Sequence, residues 1–158
     1  MTLALATAMG AYAEADDVLG EWYTAGERSK VEIYKQDGKY FGKLVWLGEP
    51  TYPEGDPEAG KARHDRQNPD ASKQNDPILG LVFMHNFEYD EGEWTGGKIY
   101  DPETGKTYKC KMTLADPNTL DVRGYMGIAA FGRTETWKRV PKEEEQKPEE
   151  AAAPAAAE

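Results

Sequence analysis

Few residues in this chain combine the types and spacing that chemistry requires. His85 stands in LVFMHNF, in phase with Phe83 and Phe87. Histidine is the usual general base near neutral pH, but it needs a partner within reach. No Ser-His-Asp or Cys-His arrangement can be assembled on spacing. A hydrogen-bonded structural histidine on an apolar strand is therefore the better reading. Cys110 is the only cysteine. It alternates with Tyr108 and Met112 and reads as a small core residue. A reactive thiol wants an exposed, cationic surrounding, and Lys109 and Lys111 point to the opposite face. Arg123 and Glu135 fall on the last two apolar runs and are expected to be cross-strand neighbours. Inside a closed sheet such a pair would orient a polar or anionic ligand; on the outside it would be a surface ion pair. Tyr34, Trp46, Tyr100, Tyr125 and Trp137 complete a set of aromatic strand residues, some of which must face inward.

Two loops are also candidates. Gly48 to Pro77 holds five prolines and many acids, with no apolar periodicity. Long irregular segments in compact domains tend to be functional. Asp56, Asp65, Asp70, Asp76, Glu54 and Glu58 are the ligand types of a hard cation, but their spacing fits no calcium loop. No metal site and no cofactor are assigned. Asp65, Asn68, Pro69 and Asp70 instead suit side-chain turns that fold the loop on itself. The second loop, Met126 to Gly132, is apolar between glycines. Met126, Ile128 and Phe131 are expected to pack under the long loop and plug or gate a mouth, with a partner or membrane contact as the alternative.

The elements that position these residues read as β throughout. The stretch WTGGKIYDPETGKTYKCKMTL, Trp94 to Leu114, carries the clearest hairpin signal. Tyr108, Cys110, Met112 and Leu114 alternate with polar residues, the period of a half-buried strand. Asp101-Pro102-Glu103-Thr104-Gly105 has turn chemistry. Further runs are expected at 19–23, 30–36, 39–47, 78–87, 120–125 and 133–140, with Asp37-Gly38 a two-residue turn. Eight short strands joined mostly by hairpins predict an all-β antiparallel up-and-down barrel, because closure removes sheet edges. A two-sheet β-sandwich is the alternative. In a meander, connections after odd strands share one end. The long loop, DPETG and the 126–132 tip should therefore frame one wide rim, and the tight turns should close the other end.

The ends have their own composition. Residues 1–13, MTLALATAMGAYA, are small and uncharged, and Ala11-Tyr12-Ala13 fits a secretory cleavage site before Glu14. They are expected to be most of a signal peptide, removed from a periplasmic or secreted protein. Residues 14–140 form the domain. Residues 141–158 carry six Glu and two Lys with no aromatic or β-branched residue, and are expected to be disordered. Net charge is −10, and the cations are scattered rather than striped. That argues against nucleic acid and anionic membrane as partners. No run approaches the ~20 apolar residues of a membrane-spanning helix.

Gly20, Trp22 and Arg139 resemble the closed-end signature of calycins, the group that includes lipocalins, in which the arginine packs across the indole. The stretches GEWYT, FGKLVWL, DRQNPD, PILGLVFMHNF, WTGGKIYDPETGKTYKCKMTL and LDVRGYMGIAAFGRTETWKR together resemble a family of uncharacterised exported bacterial proteins, classed as a domain of unknown function. The resemblance implies a lipocalin-like barrel in the periplasm or outside the cell, and no settled activity. The expectation is a non-enzymatic binder of a small, partly hydrophobic molecule held inside the barrel by Tyr34, Trp46, His85, Tyr100, Arg123, Tyr125, Glu135 and Trp137. A module that binds or inhibits another envelope protein through its rim loops is the alternative, and an enzyme using His85, Glu135 and Arg123 is the third and less favoured reading.

Overall fold

The computed structural model describes residues 12–145. Eight strands follow in chain order: β1 Gly20–Tyr23, β2 Ser29–Gln36, β3 Lys39–Leu47, β4 Val82–Asp90, β5 Glu93–Asp101, β6 Lys106–Asp116, β7 Thr119–Tyr125 and β8 Arg133–Arg139. Each pairs antiparallel with the next, and β8 returns to β1 to close the barrel. The sandwich is thereby excluded. The seam is short, with only Trp22 opposite Arg139 and Tyr23 opposite Lys138.

Alternation sets the two faces, and bulges reset it. Trp22, Ile33, Tyr40, Met84, Phe87, Trp94, Met112, Leu120 and Trp137 are fully buried. Each such side chain contributes about 1.5–3 kcal/mol by leaving water. Strand β4 carries two extra residues relative to β3, because Tyr40 pairs with Phe87, Gly42 with Met84 and Lys43 with Val82. A bulge places two successive residues on one side. Phe83 and Met84 thus both join the core, and Phe87 returns to it after Asn86, whose φ is +63°. Room for these large groups comes from inner-wall glycines. A Cβ on Gly42 would lie 2.7 Å from Met84 Sδ, and one on Gly97 would lie 2.5 Å from the Phe87 ring.

The tight turns Asp37-Gly38 and Glu91-Gly92 have positive φ at both residues, as the right-handed strand twist favours. They lie at the narrow end. That end is sealed by the segment before β1. Val18 is fully buried, Trp94 Nε1 donates to the Ala15 carbonyl at 3.0 Å, and Trp22 Nε1 donates to the Val18 carbonyl at 2.9 Å. Arg139 lies 4.2 Å from the Trp22 ring and donates to the carbonyls of Asp17, Leu19 and Pro117. The closed-end trio is arranged as the resemblance implied. Ala13 also packs on the core, and the Tyr89 hydroxyl donates to its carbonyl. Ala13 therefore contacts the fold from before the expected boundary at Glu14, and residues 1–11 lie outside the described residues.

Two further expectations need correction. The apolar run from Ile78 does not start as a strand: Ile78 to Leu81 form a turn, with Leu81 N–H bonded to the Ile78 carbonyl, and strand β4 begins at Val82. Ile78 and Leu81 pack on the core from this turn, so the long connection extends to residue 81. The expected disordered tail is ordered at its start. Lys142–Glu145 form a short helix, α1. Glu144 accepts from the Tyr23 hydroxyl at 2.7 Å, and Glu145 from the Glu21 N–H at 3.2 Å. These bonds anchor the segment against the shortest strand. Residues 146–158 lie outside the described residues.

Candidate functional site

The wide rim gathers the loops that parity assigned to it. Loop 48–81 is folded tightly on itself and lies against the β5–β6 turn. Gly105 has φ +72°, and a Cβ there would stand 2.1 Å from the Gln67 carbonyl oxygen. Asp65 is only 1% exposed. It accepts from the Tyr100 hydroxyl and from Asn68 Nδ2, both at 2.7 Å. Burial, then the Asp65 carboxylate, pushes the Tyr100 phenol well above its ordinary pKa. Asn68 accepts from the Asp70 N–H, and Asp70 caps a 3₁₀ turn at Ala71–Lys73. The Asx-turn reading of Asp65, Asn68 and Asp70 therefore describes the loop correctly.

A second cluster holds the loop's other half. Arg66 lies 3.9 Å from the Tyr52 ring and forks onto Asp56 at 2.9 and 2.8 Å, with Glu58 at 3.0 Å. The Arg66 fork holds the Asp56 carboxyl down at about 2. Asp56 and Glu58 are thus engaged by Arg66, Asp65 by the Tyr100 hydroxyl and Asp70 by the Ser72 hydroxyl. Among the described residues no three metal-ligating side chains converge.

The inner wall differs from the expected ligand set. Trp137 faces inward and is buried beside Phe83 at 6.5 Å. Glu135 shares its phase, opposite Val122, and accepts from Trp137 Nε1 at 3.4 Å. The other six take the outer face or the rim. Arg123 is opposite Thr134, not Glu135. Its guanidinium is spent on the Ala129 and Ala130 carbonyls and the Thr134 hydroxyl, so the expected Arg123–Glu135 pair does not form. Trp46 is shifted by the extra residue Val45 in β3 to stand opposite Lys30. The Lys30 ammonium there lies 5.1 Å from the Tyr23 ring and 5.6 Å from Trp46. Tyr100 points to the long loop.

The remaining three, Tyr34, His85 and Tyr125, lie along the outer wall. Tyr34 stacks on Phe41 at 5.7 Å, and Phe41 meets His85 edge-on at 6.2 Å. Cross-strand pairing then runs from His85 to Lys98, Lys98 to Lys109 and Lys109 to Tyr125. Burial lowers the His85 pKa, which favours its neutral form. Lys98 and Lys109 directly oppose one another, which costs energy unless an anion intervenes. Among the described residues neither makes an ion pair. Beside them opens a groove of about 320 Å³ lined by Lys98, Thr107, Tyr108, Lys109, Tyr125, Met126 and Gly127. Above it stands the 126–132 tip. Met126, Ile128 and Phe131 are 60%, 60% and 82% exposed, so they do not pack under the long loop. Its carbonyls at Ala129 and Ala130 are held outward by Arg123, and a 3₁₀ turn at Ala129–Phe131 leaves the apolar groups in solvent. Sequence phase misplaced His85 because the extra residues in β4 break its period.

Residues 20–139 match the model of a family described as uncharacterised proteins conserved in bacteria, DUF2147. The chain belongs to that family. Among solved structures, it resembles protein HP1028 of Helicobacter pylori, described as a member of the lipocalin family, with a TM-score of 0.67 and 26% identity over 80% of this chain and 84% of that one. The DUF2147 chain is thus a lipocalin-like, eight-stranded barrel. No curated protein matches it. Among the described residues no helix is long and apolar enough to cross a membrane.

Proposed function

We propose that this protein binds a small amphiphilic anion on its outer wall, beside the wide rim, without catalysing a reaction, in the periplasm or outside the cell. The observation that carries the reading is the unpaired lysine couple, Lys98 and Lys109, facing one another beside a groove of ligand size. Pockets for small molecules begin at about 300 Å³. A carboxylate or phosphate between the ammonium groups would relieve their repulsion and gain charge-assisted hydrogen bonds. The apolar part would lie along Tyr125 and Met126. The lipocalin-like fold supports a small ligand, while the packing of Trp137 and its neighbours favours the outer wall over the deep interior. The Cys110 thiol, pushed up to about 12 by burial, is a poor nucleophile, which supports a binding role over a thiol-based reaction. The leader-like composition of residues 1–13 supports export, and fractionation of the native host checks it.

The test is titration with dodecanoate, dodecyl phosphate and uncharged dodecanol, followed by amide chemical shifts. The two anions should perturb Lys98, Lys109 and Tyr125, and dodecanol should bind about tenfold more weakly or not at all. Lys98→Ala and Lys109→Ala should each weaken dodecanoate binding by about three- to tenfold. Perturbation confined to Glu135 and Trp137 would return the ligand to the barrel interior. The exposed tip supports a second reading, an envelope protein as partner. Ile128→Ser with Phe131→Ser should then abolish co-purification of that partner while leaving dodecanoate binding intact.

A further inference from the structure

Both ring nitrogens of His64 face acceptors. Nδ1 lies 2.6 Å from the Gln74 carbonyl oxygen, and Nε2 lies 2.9 and 3.0 Å from the two Glu58 carboxylate oxygens. A carbonyl and a carboxylate can only accept. A neutral imidazole carries one N–H, and only the imidazolium carries two. The geometry is therefore satisfied in full by the charged form alone. The two acceptors belong to opposite halves of loop 48–81. Glu58 sits in the 56–61 turn region, and Gln74 follows the 3₁₀ turn at Ala71–Lys73. The His64 backbone adds a bridge to Pro77 and bonds to the Tyr52 hydroxyl.

We propose that His64 is a pH-operated clasp that holds the long loop closed over the wide rim when doubly protonated and loosens it on losing a proton. This goes beyond the binding reading and does not depend on it. The groups around the ring set the sign. Glu58 favours the charged form, and so does the Gln74 carbonyl, which is the larger influence. Burial and Arg66 oppose it, and the balance lies above the ordinary histidine value. Tyr52 meets the ring edge-on at 5.8 Å. Arg63 lies over the Tyr52 ring and pairs with Glu49, and Arg66 is shared between Asp56 and Glu58. Lys73 neighbours Gln74 in the chain. Asp56 and Glu58 are both held below the ordinary carboxylate values, so they stay ionised above pH 5. Arg66 is held above its ordinary value, so within the cluster of Asp56, Glu58, Arg66 and His64 it is His64 that changes charge between pH 5.5 and 8.5. With its folded pKa raised, its contribution is complete below about 6.5 and is lost as pH rises through the folded value.

The chain has two histidines, which makes the test clean. In the full chain, NMR titration should show His64 titrating above 6.5 and His85 below it. Hydrogen exchange across pH 5.5–8.5, corrected for intrinsic rates, should show peptides within 50–77 losing about tenfold in protection as His64 deprotonates. Peptides of β6 should be unchanged. Glu58→Gln should lower the His64 value and flatten the loop's pH profile. A His64 value at or below 6.5, or loop protection constant across the window, would overturn the proposal.

Discussion

Arg139 shows how much one side chain can do at the narrow end. Its guanidinium covers the Trp22 indole and donates to three carbonyls from two separate segments. Burial lowers its pKa somewhat, yet an arginine stays charged at any ordinary pH. Arg139→Ala would leave those carbonyls without donors and expose one face of Trp22. It should destabilise the barrel by about 2–4 kcal/mol, read as a lower urea midpoint with an unchanged slope. Arg139→Lys should recover less than half of the loss, since an ammonium cannot both stack and fork.

Among the elements, the long loop and the DPETG turn are coupled by close approach. Any side chain at Gly105 would meet the Gln67 backbone, and its φ disfavours L-residues besides. Gly105→Leu should therefore lift the loop from the turn while sparing the barrel. Limited trypsinolysis at Lys61, Arg63, Arg66 and Lys73 should accelerate about tenfold, with thermal unfolding changed little. The turn chemistry of DPETG, the Asx turns of 65–70 and the shared rim were legible in the sequence, because each depends on local residues or on strand parity. The inner and outer faces were not. His85 looked in phase with Phe83 and Phe87, but extra residues on either side of it turn both phenylalanines inward and leave it outside. Trp46 changed neighbours through one bulged residue in β3. A single inserted residue inverts every assignment beyond it, and no composition signal marked those insertions. The Tyr52–Arg66–Asp56 stack and the His64 clasp were also hidden, since they depend on how an aperiodic loop folds.

At the scale of the molecule, the segment before β1 belongs to the core. It supplies Val18 and the acceptors of two buried indoles. A chain beginning at Glu14 should lose the Tyr89 bond to Ala13 and the packing of Ala13 on the core, together about 1–2 kcal/mol. One beginning at Leu19 should lose about 4 kcal/mol or more, from exposed core and two unmatched Trp donors. Urea unfolding of the two truncations distinguishes them. Domain stabilities span about 5–15 kcal/mol, so the shorter chain should be partly unfolded at 37 °C.

The seam between β1 and β8 carries a consequence for the order of folding. Only two residue pairs join these strands, and they lie at opposite ends of the sequence. Neighbouring hairpins can zip as they are made, whereas ring closure must wait for the last strand to leave the ribosome or the export channel. Until then the sheet has two open edges. Closing such a distant contact is slow. The final step of folding should be the docking of Arg139 onto Trp22, visible as a late change in indole fluorescence after strand content has already formed.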